Sequence, residues 1–168
     1  MLGLRLFLKN QVILNAERID YRLFRIAMAV CTLDQISKYL IVWLLKEGET
    51  LPVAAPILYF TYLKNPGAAF GILATWRILF IVVTVLLLIA VVAFYRMIPG
   101  NHQLVKLGLG ILLGGAVGNL VDRLRTGYVI DFLDFRFWPV FNLADAAIVI
   151  GVVFLCWSLF VAPAGRER

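Results

Sequence analysis

Metal and thiol chemistry have little to work with in this chain: one histidine, His102, and two cysteines, Cys31 and Cys156, in 168 residues. His102 stands in a Pro-Gly-Asn-His turn without neighbouring ligands, which argues against a zinc site or a Ser-His pair and for a plain loop histidine. The cysteines lie inside apolar runs without CxxC spacing, which argues against a thiol-disulfide membrane enzyme; both are expected to be packing residues. Charge is scarce as well. Asp, Glu, Lys and Arg make up 15% of the residues against 62% apolar, and a mean hydropathy of +0.93 excludes a soluble domain. The net charge of +6 comes from Lys and Arg at the ends of apolar runs, with no basic face or stripe, so membrane orientation explains it and nucleic acid is not expected as a partner.

What is present is a series of apolar runs, read as one integral membrane domain over 1–168. Residues 1–25 form a basic cytoplasmic leader, too short in apolar residues for a span and without the small-residue cleavage site of a signal peptide; an amphipathic interfacial helix fits it. Residues 26–45 make a first span of about 20 residues, interrupted by Asp34-Gln-Ile-Ser-Lys38. Asp34 and Lys38 are four apart on one helical face, either as an ion pair turned toward protein or with Asp34 lining a polar site. Residues 46–77 carry two prolines, a β-branched and aromatic run and the turn signal Asn65-Pro-Gly67, and read as strands and turns outside the membrane. Asn65 is either a turn asparagine or a functional one.

Residues 78–95 form a charge-free second span, 96–106 a short basic connector, and 107–121 a glycine-rich third span. Gly110, Gly114 and Gly118 at four-residue spacing predict a flat stripe for close helix packing. At its end Asn119 and Arg123 share a face, while Asp122 points elsewhere and pairs with Arg125 or another cation. Residues 122–142 are an outer connector, 143–161 a fourth span with Asp145 as its sole charge, and 162–168 a basic tail. Four spans put both termini on one side, and the positive charge of leader, connector and tail makes that side cytoplasmic.

An ionised side chain at membrane depth costs several kcal/mol unless paired or wet, so Asp145 is a functional-site candidate, set against a helix-capping role in headgroup water. Topology gathers Asp131, Asp145, Asn65, Asn119, Arg123 and Asn142 at one depth near the outer surface, with Asp34 level or deeper. No serine-base pair, catalytic cysteine or metal cluster competes with the two carboxylates as reactive groups. Close together, two carboxylates share a proton near neutral pH, so one takes a proton from water while the other protonates a carbonyl. That is the chemistry of an aspartic peptidase. The alternatives are a small proton- or cation-coupled transporter using Asp34, Asp131 and Asp145, disfavoured by the lack of an inverted repeat or broken helix pair, and a helix-packing scaffold.

Five motifs, in order, sharpen the choice: Asp34-Gln-Ile-Ser-Lys-Tyr, Asn65-Pro-Gly-Ala-Ala-Phe-Gly, Gly114-Gly-Ala-Val-Gly-Asn-Leu-Val-Asp-Arg, Val129-Ile-Asp-Phe and Phe141-Asn-Leu-Ala-Asp-Ala-Ala. Together with four spans they resemble the lipoprotein signal peptidases, or signal peptidase II, over residues 25–160. The resemblance implies a mainly α membrane protein of four transmembrane helices, with a small extracytoplasmic β-cradle (46–77) and a short extracytoplasmic closing segment (132–141). It implies a peptidase of the bacterial inner membrane that removes signal peptides from diacylglyceryl-modified prolipoproteins, acting as a monomer among membrane lipid, without cofactor or metal. It further implies that Asp131 and Asp145 are catalytic and that Asp34, Lys38, Asn65, Gly67, Asn119, Arg123 and Asn142 support them or bind substrate. The chain departs from the family in a compact connector between Asp131 and Asp145 and in a longer leader before Arg22.

Overall fold

The computed structural model describes residues 21–67, 77–95, 97–98 and 102–161. The expected interfacial leader over residues 1–20, part of the 46–77 and 96–106 segments, and the tail fall outside the described residues. Four helices dominate: α1 (Arg22–Leu44), α2 (Arg77–Tyr95), α3 (Gln103–Arg125) and α4 (Leu143–Val161). The first three are long and apolar enough to cross a membrane, and α4 is apolar over Leu143–Ser158. Three strands, β1 (Thr50–Ala54), β2 (Leu58–Asn65) and β3 (Val129–Asp134), complete the fold as one antiparallel sheet in the order β1-β2-β3.

The hub is α3, which packs on each of the other three helices. Its glycines make this possible. A Cβ on Gly114 would stand 2.7 Å from the Ala27 carbonyl oxygen, and one on Gly110 3.0 Å from Ile26 Cβ, so the predicted stripe does face a helix, namely α1. A second set, Gly108 and Gly115, receives α4: a Cβ on Gly115 would collide with the Ala144 carbonyl oxygen. Close backbone approach on two sides replaces the side-chain interdigitation that a leucine-rich helix would use. By contrast α2, uncharged after Arg77, buries only Val91 and Tyr95 and turns most of its surface outward. Cys31 is half-buried, but Cys156 is exposed beside Trp157 on the outward face of α4, so the expectation that both cysteines pack holds only for the first.

The sheet caps one end of the bundle, because the C-terminal ends of α1 and α3 and the N-terminal ends of α2 and α4 all lead into or out of it. It is seated by a small apolar cluster of Ile41 from α1, Tyr62 from β2 and Phe132 from β3, with Phe60 edge-on to Phe132 at 5.8 Å between ring centroids. This corrects the plain connector expected over 122–142 in two ways. First, α3 continues to Arg125, carrying Asp122 and Arg123 inside the helix. Second, Val129–Asp134 is a strand that pairs along β2, with Asn65 opposite Val129 and Leu63 opposite Asp131. Aspartate disfavours strands, so Asp131 and Asp134 hid it from a pattern reading; burial of Val129 and Phe132, at 2% and 3% exposure, outweighs that preference.

Of the expected closing segment, residues 132–134 thus belong to the sheet. Phe141 then bridges back to Leu133, leaving 135–140 as a tight loop. Asp134 straps it down: its carboxylate accepts from Thr61 Oγ1 at 2.7 Å and from the Arg136 amide at 2.8 Å. Those donors, the Thr61 hydroxyl first, hold the Asp134 carboxyl below the usual carboxylate range. The Arg136 guanidinium lies 4.0 Å from the Tyr59 ring centroid, and Phe137 and Trp138 project outward from the loop tip.

Candidate active site

Between the sheet cluster and the helix core lies a polar layer built from α1, α3, β3 and the start of α4. Asp34, Lys38, Asn119, Asp122, Asp131 and Asn142 are all buried there. Each is placed by a local feature. Asp34 and Lys38, one turn apart on α1, form the intrahelical ion pair at 2.8 Å that their spacing predicts. A Cβ on Gly118 would stand 2.5 Å from Asp34 Oδ2, so only glycine at this position lets that carboxylate lie against α3.

Asn142 immediately precedes α4, and its Oδ1 accepts from the Asp145 amide at 2.9 Å, while Asp145 Oδ2 accepts from the Asn142 amide at 3.3 Å. This is a reciprocal capping box written with Asn and Asp. Asp145 therefore does cap a helix, yet its other oxygen, Oδ1, is free for further contact and accepts from Asn119 Nδ2 at 2.7 Å. The capping and functional readings of Asp145 coexist, one per oxygen.

Asp131 comes in from β3. Its Oδ1 accepts from Asn142 Nδ2 at 2.6 Å and its Oδ2 from Asn65 Nδ2 at 2.8 Å. Asn65 is aimed by its own turn, since its Oδ1 accepts from the Gly67 amide at 2.8 Å, so turn and site uses again coincide. Gly67 adopts φ +89°, and a Cβ there would also meet the Phe80 ring at 2.9 Å, which is why this corner is glycine. The result is that one asparagine side chain, Asn142, donates to one carboxylate and accepts from the backbone of the other.

Arg123 shares a helical face with Asn119 as predicted, but the two part company. Asn119 turns to Asp145, whereas the Arg123 guanidinium lies 5.1 Å from the Phe80 ring centroid, with the negative charges of Asp145, Asp131 and Asp122 acting on it. The cation that Asp122 meets is Lys38 of α1, at 2.8 Å, rather than Arg125. Gln35, unremarked as a candidate in the sequence, donates to Asp122 Oδ1 at 2.9 Å. Its only sequence signal was adjacency to Asp34.

The two carboxylates differ in surroundings. Asp131 is 4% exposed, and burial pushes its carboxyl up to about 6; the Asn65 bond opposes this, the charge of Asp145 reinforces it, and the Asn142 bond and Lys38 oppose it. Because the folded value lies above the unfolded one, Asp131 favours folding fully at pH below the unfolded value and that contribution is lost as pH rises through about 6. A ¹³C NMR titration of the Asp131 carboxyl should give a midpoint near 6. Asp145→Asn, by removing a like charge, should lower that midpoint, and Asn65→Ala, by removing a donor to the charged form, should raise it. A wild-type midpoint at an ordinary carboxylate value would contradict this account.

The family described as signal peptidase (SPase) II matches residues 26–161. The lipoprotein signal peptidase of Moorella thermoacetica is 53% identical over 142 residues, covering 84% of this chain and 94% of that protein. That of Pelotomaculum thermopropionicum is 50% identical over 137 residues, covering 82% and 90%. A bacterial membrane enzyme solved by the in meso method at 1.9 Å superposes with a TM-score of 0.78 at 32% identity, covering 86% of this chain and 96% of that one. A paired-carboxylate layer under a small sheet, at one end of a bundle of apolar helices, thus sits in a chain that belongs to the signal peptidase II family, the bacterial membrane aspartic peptidases.

Proposed function

We propose that this protein cleaves diacylglyceryl-modified prolipoproteins at the peptide bond preceding the lipidated cysteine, with Asp131 and Asp145 as the reacting pair. The observation that carries the assignment is the Asn142 bridge, which ties a strand-borne and a helix-borne carboxylate into one unit. The wider frame has four spans with both termini cytoplasmic, in the bacterial inner membrane. The sheet, the 135–140 loop and the dyad face the extracytoplasmic side, and the enzyme works as a monomer among membrane lipid. The similarity to lipoprotein signal peptidases favours this over the transport alternative.

In the hypothesised reaction, the ionised carboxylate takes a proton from water as the oxygen attacks the scissile carbonyl carbon. The protonated carboxyl gives its proton to the carbonyl oxygen, forming a neutral tetrahedral diol. Collapse breaks the C–N bond, and the departing cysteine amine takes the proton that the first carboxylate had gained. The second carboxylate recovers its own from a diol hydroxyl. The products are a signal peptide with a new C-terminal carboxyl and a lipoprotein beginning at its modified cysteine. Asn65, Asn119 and Asn142 act as neutral donors that hold the carboxylates without discharging them. Arg123, over Phe80, either orients the dyad-bearing region or meets the lipid-linked part of the substrate.

The test is incubation of the purified protein with one precursor in two forms, diacylglyceryl-modified and unmodified. Release of the signal peptide from the modified form alone is expected, with the lipidated cysteine as the new N-terminal residue. An intact, verified lipidated precursor would overturn the assignment, and equal cleavage of both forms would remove the lipid from the recognition.

A further inference from the structure

Behind the proposed dyad lies an ionic cluster that no step of the reaction uses. The Lys38 ammonium has three N–H donors and no acceptor, and all three are engaged: Asp34 Oδ2 at 2.8 Å, Asp122 Oδ2 at 2.8 Å and Asn119 Oδ1 at 3.0 Å. Lys38 is 2% exposed, Asp34 0% and Asp122 5%, so water does not substitute for any of these partners. Gln35 Nε2 closes the cluster, donating to Asp122 Oδ1 at 2.9 Å, to the Gly118 carbonyl at 3.2 Å and to Asp34 Oδ2 at 3.3 Å.

Three arms leave this cluster, and each ends beside a reacting carboxylate. Through Lys38, the Oδ1 of Asn119 is held by a cation, so its Nδ2 is left pointing at Asp145 Oδ1, 2.7 Å away. Asp34 Oδ1 accepts from the amide of Ala144, the residue before Asp145, at 2.9 Å. Asp122 Oδ2, already bound to Lys38, accepts from the amide of Ile130, the residue before Asp131, at 3.3 Å. The dyad residues come from separate elements, a strand and a helix. Their separation depends on how β3 and α4 are both registered against α3, and Asp122 is the single side chain of α3 that binds the cation and the strand together.

We infer that Asp122, acting with Lys38, is a positioning residue for both carboxylates of the dyad. The inference rests on the Asp131 and Asp145 assignment. It differs from a helix-gluing role in what it predicts, because displacing a reacting group by about 1 Å costs on the order of 10²-fold in rate while leaving substrate binding largely alone. Asp122→Asn keeps the shape and one acceptor oxygen but removes the charge that holds Lys38.

With a fluorogenic lipopeptide substrate, folded Asp122→Asn should lose about 10²-fold in kcat with KM within about twofold of wild type. Asp122→Glu should not rescue kcat, since it restores the charge one methylene out of register. A folded Asp122→Asn variant with wild-type kcat, or with the loss confined to KM, overturns the inference. Should Asp122→Asn fail to fold, Gln35→Met, which removes a donor to Asp122 at a half-buried position, should lower kcat by about tenfold at unchanged KM; wild-type kcat there overturns the inference equally. Asp131→Asn and Asp145→Asn in the same assay separate the two levels. If they cleave normally, the dyad assignment falls. If they are inactive while Asp122→Asn turns over like wild type, the dyad stands and only the role of Asp122 falls.

Discussion

Either Asp131→Asn or Asp145→Asn should abolish prolipoprotein cleavage, with kcat/KM falling by about 10⁴-fold, the upper range for losing a general acid or base. An amide neither accepts a proton from water nor supplies one to a carbonyl, so a residual rate would come only from substrate positioning. The replacements are close in shape, and what they disturb in the fold is limited. At position 131 one of the two asparagine donors would face an NH₂ instead of an oxygen; at position 145 the same conflict arises with either Asn119 or the Asn142 amide. A lost hydrogen bond of this kind is worth about 0.5–1.5 kcal/mol. For Asp131 the loss is offset above about pH 6, where the wild-type protein must bury a charge that burial disfavours. Thermal unfolding in detergent should therefore show both variants folded, and cleavage at the normal rate by either would sink the dyad.

Lys38→Met should have the largest effect on stability. The substitution leaves Asp34 and Asp122 buried without their cation and Asn119 Oδ1 without a donor. Removing one partner of a buried ion pair costs about 3–5 kcal/mol, far more than the pair itself contributes relative to an apolar filling. Lys38 serves two carboxylates, so the upper end of that range is expected. Adding Asp122→Asn to Lys38→Met removes one of the stranded charges, so the double variant should lie well above the sum of the two single losses. Denaturation midpoints for the four proteins check this. An unshifted midpoint for Lys38→Met would mean that the cluster relaxes around the missing charge, contrary to the tight enclosure of Lys38.

Much of the architecture was legible in residue order. Ile26 through Leu45 and the later apolar runs announce helices because a predominantly apolar stretch near bilayer length has few other uses. The start of the last one at Leu143 is readable because Asn142 precedes it with an acid three residues on. The glycines at 110, 114 and 118 predict close packing on one face, and α1 occupies that face. Other features were not legible. The strand carrying Asp131 contains two aspartates, and its conformation is imposed by pairing with β2 and by burial of Phe132 on Ile41 and Tyr62. Likewise Asp122 sits within one turn of two possible cations by sequence, Arg123 and Arg125, and only the approach of α1 selects Lys38.

The sequence by itself determined the membrane-embedded class, the helical runs and the candidate carboxylates, because hydropathy, helical spacing and capping are local properties of the chain. Tertiary structure alone decided which polar groups meet. Asp131 and Asp145 are joined by Asn142 and backed by the Lys38 cluster only once α1 and α4 have closed on the glycine faces of α3 and β3 has joined the sheet. Those contacts join residues up to 110 positions apart, as between Asp34 and Ala144. No local propensity encodes such a meeting; it follows from burying the helices and the sheet against one another.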